Sequence, residues 1–376
     1  MFRRIQKNTL LKGATALAVL ATLSLSSCGE DEEVMGNNED KNQPSAADFT
    51  NLLTNQINEV IIPTMVTYQS KMSNFVSAVN GLAASVDAAN LTATRNAYKE
   101  AYLAYQAVAV HNYYATANAG LIENTNLYPV DTVLLSSLIA NKTYNFNTTA
   151  QIRANGFPAL DFMLYGATNG VGYFNADNNR IAFLSALVNN IKSISDNLVT
   201  QWNGNLKTNF VSNGGTALGS SISVQLNESI VYYEDHIREN KVGIPIGRLG
   251  PNDSPIAADA TKIEGYYQSL AEGTENFTFE LLKAGVEEIE DFYLGETTLN
   301  VDETGYDDML KIRNQSAVDT EIKNQFKSIY AEIDSRTSIS GNDELYKKVQ
   351  QLVTLYKSDL LPLLNVQDAD GANDGD

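Results

Sequence analysis

Apolar side chains recur at intervals of three and four along almost the whole chain, and no stretch alternates convincingly at two. That spacing puts them on one stripe of a 3.6-residue helix and argues against half-buried strands. Phe49, Leu53, Ile57, Val60/Ile61, Tyr68, Met72, Phe75, Val79 and Leu82 form the first stripe, with Pro63 expected to kink it. Tyr98, Tyr102 and Tyr105 mark a second helix, and Leu184, Leu187, Ile191, Ile194, Leu198 and Trp202 a third. Further helices are expected near 217–240, 261–294, 317–338 and 343–361, with loops at Asn213-Gly214-Gly215 and from Gly250 to Pro255. The fold class is all-α. Roughly 320 ordered residues exceed what one bundle core usually holds, so two helical-bundle subdomains are expected, 46–175 and 176–366.

The two ends are of another kind. Arg3, Arg4, Lys7 and Lys12 accompany the apolar run Ala14 to Leu25, which is too short to span a bilayer and reads as an export signal over 1–27. Leu25-Ser26-Ser27-Cys28 fits a bacterial lipobox. Cys28 is then the lipidation site and the outer membrane the expected anchor, on its periplasmic face or at the cell surface. As the only cysteine, Cys28 also leaves no partner for an intramolecular disulfide. Residues 28–45 read as an acidic flexible tether, whose Gly29-Glu30-Asp31-Glu32-Glu33 resembles the surface-export signals of Bacteroidetes lipoproteins and serves equally as a plain solvated linker. Residues 367–376 read as an acidic tail without the spacing of a calcium loop. Without residues 1–27 the chain carries 22 Lys and Arg against 45 Asp and Glu. That balance argues against a nucleic-acid partner, which needs basic patches.

Few residues carry chemistry. The two histidines are His111, in Val110-His111-Asn112-Tyr113-Tyr114, and His236, in Tyr233-Glu234-Asp235-His236-Ile237-Arg238. Neither stands in a zinc-peptidase motif, and no nucleophile elbow, phosphate loop or dinucleotide fingerprint is present. The spacing of Tyr98, Tyr102 and Tyr105 is that of core packing. The most informative block is Gly156-Phe157-Pro158-Ala159-Leu160-Asp161-Phe162-Met163-Leu164-Tyr165-Gly166. It reads as a turn glycine, a proline in the first helical turn, one carboxylate on an apolar segment, and a closing glycine. Asp291-Phe292-Tyr293-Leu294-Gly295 echoes its second half, through duplication or through shared cap chemistry.

Gly156-Phe157-Pro158-Ala159-Leu160-Asp161 resembles the Gly-x-His-x-x-Glu signature of imelysin-like proteins, with Pro158 at the histidine position and Asp161 at the glutamate position. In this form it looks like a variant recurring among Bacteroidetes members. Leu127-Tyr128-Pro129-Val130-Asp131 is similar to the family's Trp-Pro-Leu-Asp element, and Arg238 to Pro245 resembles its Lys-x-Gly-x-Pro turn. Ile263-Glu264-Gly265-Tyr266-Tyr267 resembles a Val-Glu-x-x-(Tyr/Phe) helix start, and Gly305-Tyr306-Asp307-Asp308-Met309-Leu310 and the C-terminal residues match further blocks in family order. The resemblance implies two helical bundles packed around an interdomain crevice near the signature helix. It carries Gly156, Pro158, Asp161, Tyr128, Asp131, Arg238, Lys241 and Glu264 over as ligand-binding residues of that crevice. It also implies iron or haem as cargo, outer-membrane iron or haem uptake components as partners, and an older peptidase label.

Asp161 has two readings. As a cap it sits in the first turn of its own helix and accepts free backbone N–H groups; as a site residue it faces the crevice with Arg238 and Lys241 as counter-charges. Pro158 supplies no donor, which removes the histidine a metallopeptidase would use and leaves Asp161 and His236 as candidate metal ligands. The expected function is a non-catalytic envelope binding lipoprotein assisting iron or haem acquisition. The alternatives are a metal-dependent peptidase of the imelysin type and a structural or partner-binding surface lipoprotein.

Overall fold

Helix Ile62–Ala84 lies between Ala88–Val110 and Asn178–Trp202, and Ala88–Val110 packs in turn on Asn276–Leu294. The computed structural model describes residues 42–146, 148–166, 170–249, 254–297 and 303–369. The lipobox with Cys28, residues 28–41 of the tether and the tail from 370 lie outside them. The described residues are all-α, with a two-residue antiparallel ladder, Arg248–Leu249 against Ser254–Pro255, as their strand content. No described helix is long and apolar enough to cross a membrane.

The stripes read from the sequence are the buried faces. Leu184, Leu187, Ile191, Leu198 and Trp202 are fully buried, as are Tyr68, Met72 and Phe75 on the helix they pack along. Asn178–Trp202 thus belongs with the N-terminal helices: Gln69 donates to Asp196 at 2.7 Å, and the Trp202 ring meets Tyr113 edge-on at 6.0 Å. The expected division at 175 does not separate packing groups, and the residues from Asn42 onward form one unit. At the C-terminus, residues 367–369 are not frayed, since Asn227 donates to the Gln367 carbonyl and accepts from the Ala369 N–H.

Three helices widen into π-helical turns, Gln56–Ile61, Tyr233–Gly243 and Tyr356–Leu360. Each is followed two residues later by a proline, Pro63, Pro245 and Pro362. A proline inside a helix lacks the N–H and its ring collides with the carbonyl four residues back. An extra residue in the turn moves that carbonyl away, and the helix continues. The expected kink at Pro63 is therefore a π turn. The stretch Lys241 to Pro245, expected as a turn, stays helical until Gly247, whose φ of +85° ends it.

The signature helix spans Gly156–Tyr165, with Asn155 capping it through a bond from the Gly156 N–H. Gly156 has φ +78°, and a Cβ there would lie 2.1 Å from the Thr125 carbonyl oxygen. Only glycine fits, and this close approach sets the Thr125–Val130 segment against the helix. Phe157 stacks on Tyr102 with ring centroids 4.4 Å apart and 3° between planes. Tyr98, Tyr102 and Tyr105 are all buried in the aromatic core around it.

Candidate functional site

Three segments distant in sequence meet beside the signature helix and enclose a pocket of about 270 Å³. Tyr128, Pro129 and Val130 form one wall, Pro158 and Asp161 a second, and Thr261 with Ile263 to Tyr267 a third, with Tyr102 completing the lining. Tyr128 joins Pro129 through a cis peptide bond. Gly265, at φ +66°, turns the chain so that Glu264 points inward while helix Tyr266–Glu272 starts immediately after it. A wider groove of about 610 Å³ between helices Ala46–Asn55 and Asn205–Ser212 has small side chains, hydroxyls and Lys207 in its walls. It brings no comparable set of polar groups together.

Asp161 is the sixth residue of its helix and caps a different one. Its oxygens accept the backbone N–H groups of Tyr267 at 2.7 Å and Gln268 at 3.1 Å. Those are orphan donors of helix Tyr266–Glu272, whose own cap residue, Gly265, has no side chain to offer. The expectation of an own-helix cap is corrected to a cap supplied across the fold. The expectation of Arg238 and Lys241 as partners of Asp161 is corrected as well, since each is engaged elsewhere. Burial pushes the Asp161 carboxyl up to about 7, against the opposing pull of the two N–H bonds and of Tyr98. The Tyr98 hydroxyl is buried near it without a well-formed hydrogen bond.

Glu264 holds the second carboxylate of the pocket. Its oxygens accept from Asn126 Nδ2 at 2.5 Å and Gln106 Nε2 at 3.1 Å, and Lys241 Nζ pairs with it while donating to Gln106 Oε1 at 2.7 Å. Lys241 and Glu264 are 5% and 3% exposed. Burial pulls the Lys241 ammonium below its usual range, and Glu264 opposes that pull. Tyr102 extends the network by donating to Asn126 Oδ1 at 2.6 Å. Desolvation holds the Tyr102 and Tyr128 phenols well above their usual range, with Glu264 adding to the effect.

Of the residues carried over by motif, Tyr128, Pro158, Asp161 and Glu264 line the pocket, Lys241 stands behind Glu264, and Gly156 positions the helix. Arg238 lies apart, bonded to Glu234, Glu239 and Gln350. Asp131 is exposed and caps helix Thr132–Asn141 through the N–H groups of Val133 and Leu134. His236 is half-buried, with its ring 5.1 Å from that of Tyr232 and bonded to Asn240. Burial, followed by Lys241, lowers it to about 4. Gln106, Asn126, Tyr266 and Tyr267 were not expected; the Glu-Gly-Tyr-Tyr run was the one available signal. Among the described residues no three His, Cys, Asp or Glu side chains converge to hold a metal ion, so this donor set does not fit a metallopeptidase centre.

The class defined here is an all-α protein with a small aromatic pocket where three distant segments meet around two buried carboxylates. The chain belongs to the imelysin family, whose model (Imelysin, peptidase M75) matches residues 61–357. Its fold is similar to that of an imelysin-like protein from Psychrobacter arcticum 273-4, at 16% identity and a TM-score of 0.69, covering 86% of this chain and 98% of that one. It is also similar to a protein from Parabacteroides distasonis ATCC 8503 described as an iron-regulated protein A precursor, at 14% identity and a TM-score of 0.68, covering 86% and 96%. No curated protein matches the sequence.

Proposed function

We propose that this is an envelope-anchored binding lipoprotein with a role in iron acquisition, and that the pocket between the signature helix and residues 261–267 is where it binds. The observation carrying this reading is the convergence of three separate family blocks, Leu127–Val130, Gly156–Asp161 and Ile263–Tyr267, on one cavity. The description of the Parabacteroides protein as iron-regulated supports the iron link, and the lipobox at Cys28 supports the anchor. Both carboxyl groups of the pocket are held in place, Asp161 by the Tyr267 and Gln268 N–H groups and Glu264 by Asn126, Gln106 and Lys241, which favours a fixed binding surface over turnover. At about 270 Å³ the cavity falls just below the range that encloses drug-sized ligands, roughly 300–1,000 Å³. It suits a small molecule, or one arm of a larger iron compound, better than a whole haem.

The test is growth of a deletion strain under iron limitation. Impaired growth restored by the wild-type gene, but not by a Val130→Trp gene whose side chain fills the pocket, is expected. Growth indistinguishable from the parent at every iron level would remove iron handling from the reading.

A further inference from the structure

The ionisable side chains that line the pocket are two carboxyls, Asp161 and Glu264, and four phenols, Tyr102, Tyr128, Tyr266 and Tyr267; no lysine, arginine or histidine is among the lining residues. Both carboxyl-bearing residues are nearly inaccessible, at 2% and 3% exposure. An ionised carboxylate offers about four lone-pair sites. Asp161 uses two, for the Tyr267 and Gln268 N–H groups. Glu264 uses three, for Asn126, Gln106 and Lys241. Each keeps acceptor capacity, and both border the same cavity. Lys241 neutralises Glu264 from behind and is not part of the lining.

From this inventory we infer that the pocket selects a small molecule carrying a primary or quaternary ammonium group, alone or as the end of a larger iron compound. The inference rests on the pocket being the binding site. An ammonium sets N–H or polarised C–H groups against carboxylates with spare acceptor sites, and its charge is attracted by the electron-rich faces of phenol rings. Pro129, Val130, Pro158 and Ile263 supply apolar surface for an alkyl stem. A carboxylate or phosphate ligand would lie in a partly dry cavity beside Asp161 and the Glu264–Lys241 pair, with no lysine, arginine or histidine among the lining residues to meet its charge. That arrangement disfavours an anionic chelate as the occupant.

Proton linkage follows from the surroundings of Asp161. Tyr98 faces it from helix Ala88–Val110, Tyr165 from its own helix, and Tyr267 and Glu264 from the opposite wall; none supplies a positive charge. The carboxyl is partly protonated near neutrality. A bound cation favours its ionised form, so binding releases protons and tightens as pH rises through 7.

Calorimetric titration of the purified protein with n-butylammonium and tetramethylammonium, against butyrate and n-butanol, tests this at pH 6 and 8 in two buffers of different ionisation enthalpy. Saturable ammonium binding at least tenfold tighter than butanol, no butyrate binding, and proton release at pH 6 are expected. Val130→Trp should weaken the ammonium at least tenfold. Glu264→Gln, which leaves Lys241 without its carboxylate, should weaken the ammonium and admit butyrate. Butyrate or butanol binding as tightly as the ammonium, or no ammonium probe saturating, overturns the inference. If butyrate binds and Val130→Trp abolishes it, the pocket remains the binding site and only the sign of the ligand's charge falls. Ammonium binding indifferent to Val130→Trp overturns both.

Discussion

Replacing Asp161 by Asn should reverse the usual effect of removing a carboxylate from a protein. The native carboxyl, 2% exposed, is raised by burial from 3.8 to about 7. A group whose folded-state pKa is raised contributes stability that is complete below its unfolded value and is lost as pH climbs through the folded value. The span between the two corresponds to about 4 kcal/mol. Asparagine has no charge to bury, but its amide nitrogen donates and does not accept, so its oxygen keeps one of the Tyr267 and Gln268 N–H groups and the other loses its acceptor, at about 1–3 kcal/mol. In urea unfolding of both proteins at pH 4.5, 6 and 8, the Asn variant should therefore gain about 3 kcal/mol on the wild type between pH 4.5 and pH 8. Other carboxyls raised by burial, Glu288 and Asp291 among them, are common to both proteins and cancel in the difference. Asp161→Ala should instead lose about 2 kcal/mol or more at pH 4.5, because the Tyr267 and Gln268 N–H groups lose their acceptor. A wild type that gains on the Asn variant as pH rises, as an ion-paired aspartate would, refutes the reasoning.

Breaking the buried pair by Lys241→Met should cost about 3–5 kcal/mol in urea unfolding, with part recovered by adding Glu264→Gln, because an uncompensated buried charge is the main penalty. Gly156→Ala should fail to accumulate as folded protein or lose well over 3 kcal/mol by thermal unfolding, since the new Cβ would stand 2.1 Å from the Thr125 carbonyl oxygen at φ +78°. Neither histidine should titrate between pH 5.5 and 8 by NMR. Burial lowers His111, bonded to Glu288 at 2.6 Å, to about 3, and half-buried His236, with Lys241 adding to the effect of burial, falls to about 4; an imidazole shift following a midpoint near 6.5 would contradict these surroundings.

The helical fold was legible because helix periodicity is local: each stripe from Phe49 to Leu360 is the buried face of the helix that carries it. What failed to read out depends on contacts between distant segments. The sequence shows Asp161 two residues after Ala159 and nothing of the N–H groups of Tyr267 and Gln268, so the cap was assigned to the wrong helix. Arg238 and Lys241 share a block and a helical segment but bond to different partners. Tyr128 and Asp131 share a non-helical segment, in which Tyr128 lines the pocket while Asp131 caps the helix that follows. The π turns before Pro63, Pro245 and Pro362 were recoverable in principle from proline chemistry alone, though a kink is the commoner outcome. The echo between Asp161–Gly166 and Asp291–Gly295 does not extend to side-chain roles. Gly295 closes its helix at φ +69° whereas Gly166 has φ −52°, and Asp291, raised to about 8 by burial and then by Glu288, caps no helix across the fold among the described contacts.

The central claim, that the cavity of Tyr128, Asp161, Glu264 and Tyr267 is where this imelysin-family protein binds its ligand, is tested most directly by calorimetry in metal-free buffer. Wild type and Val130→Trp are titrated with Fe(III), haem, Zn(II) and the ammonium probes, with thermal unfolding showing that both are folded. Saturable binding of at least one ligand by the wild type, weakened tenfold or more in the variant at unchanged unfolding temperature, is the predicted result. No saturable binding by the wild type, or equal affinity in the two folded proteins, would contradict it.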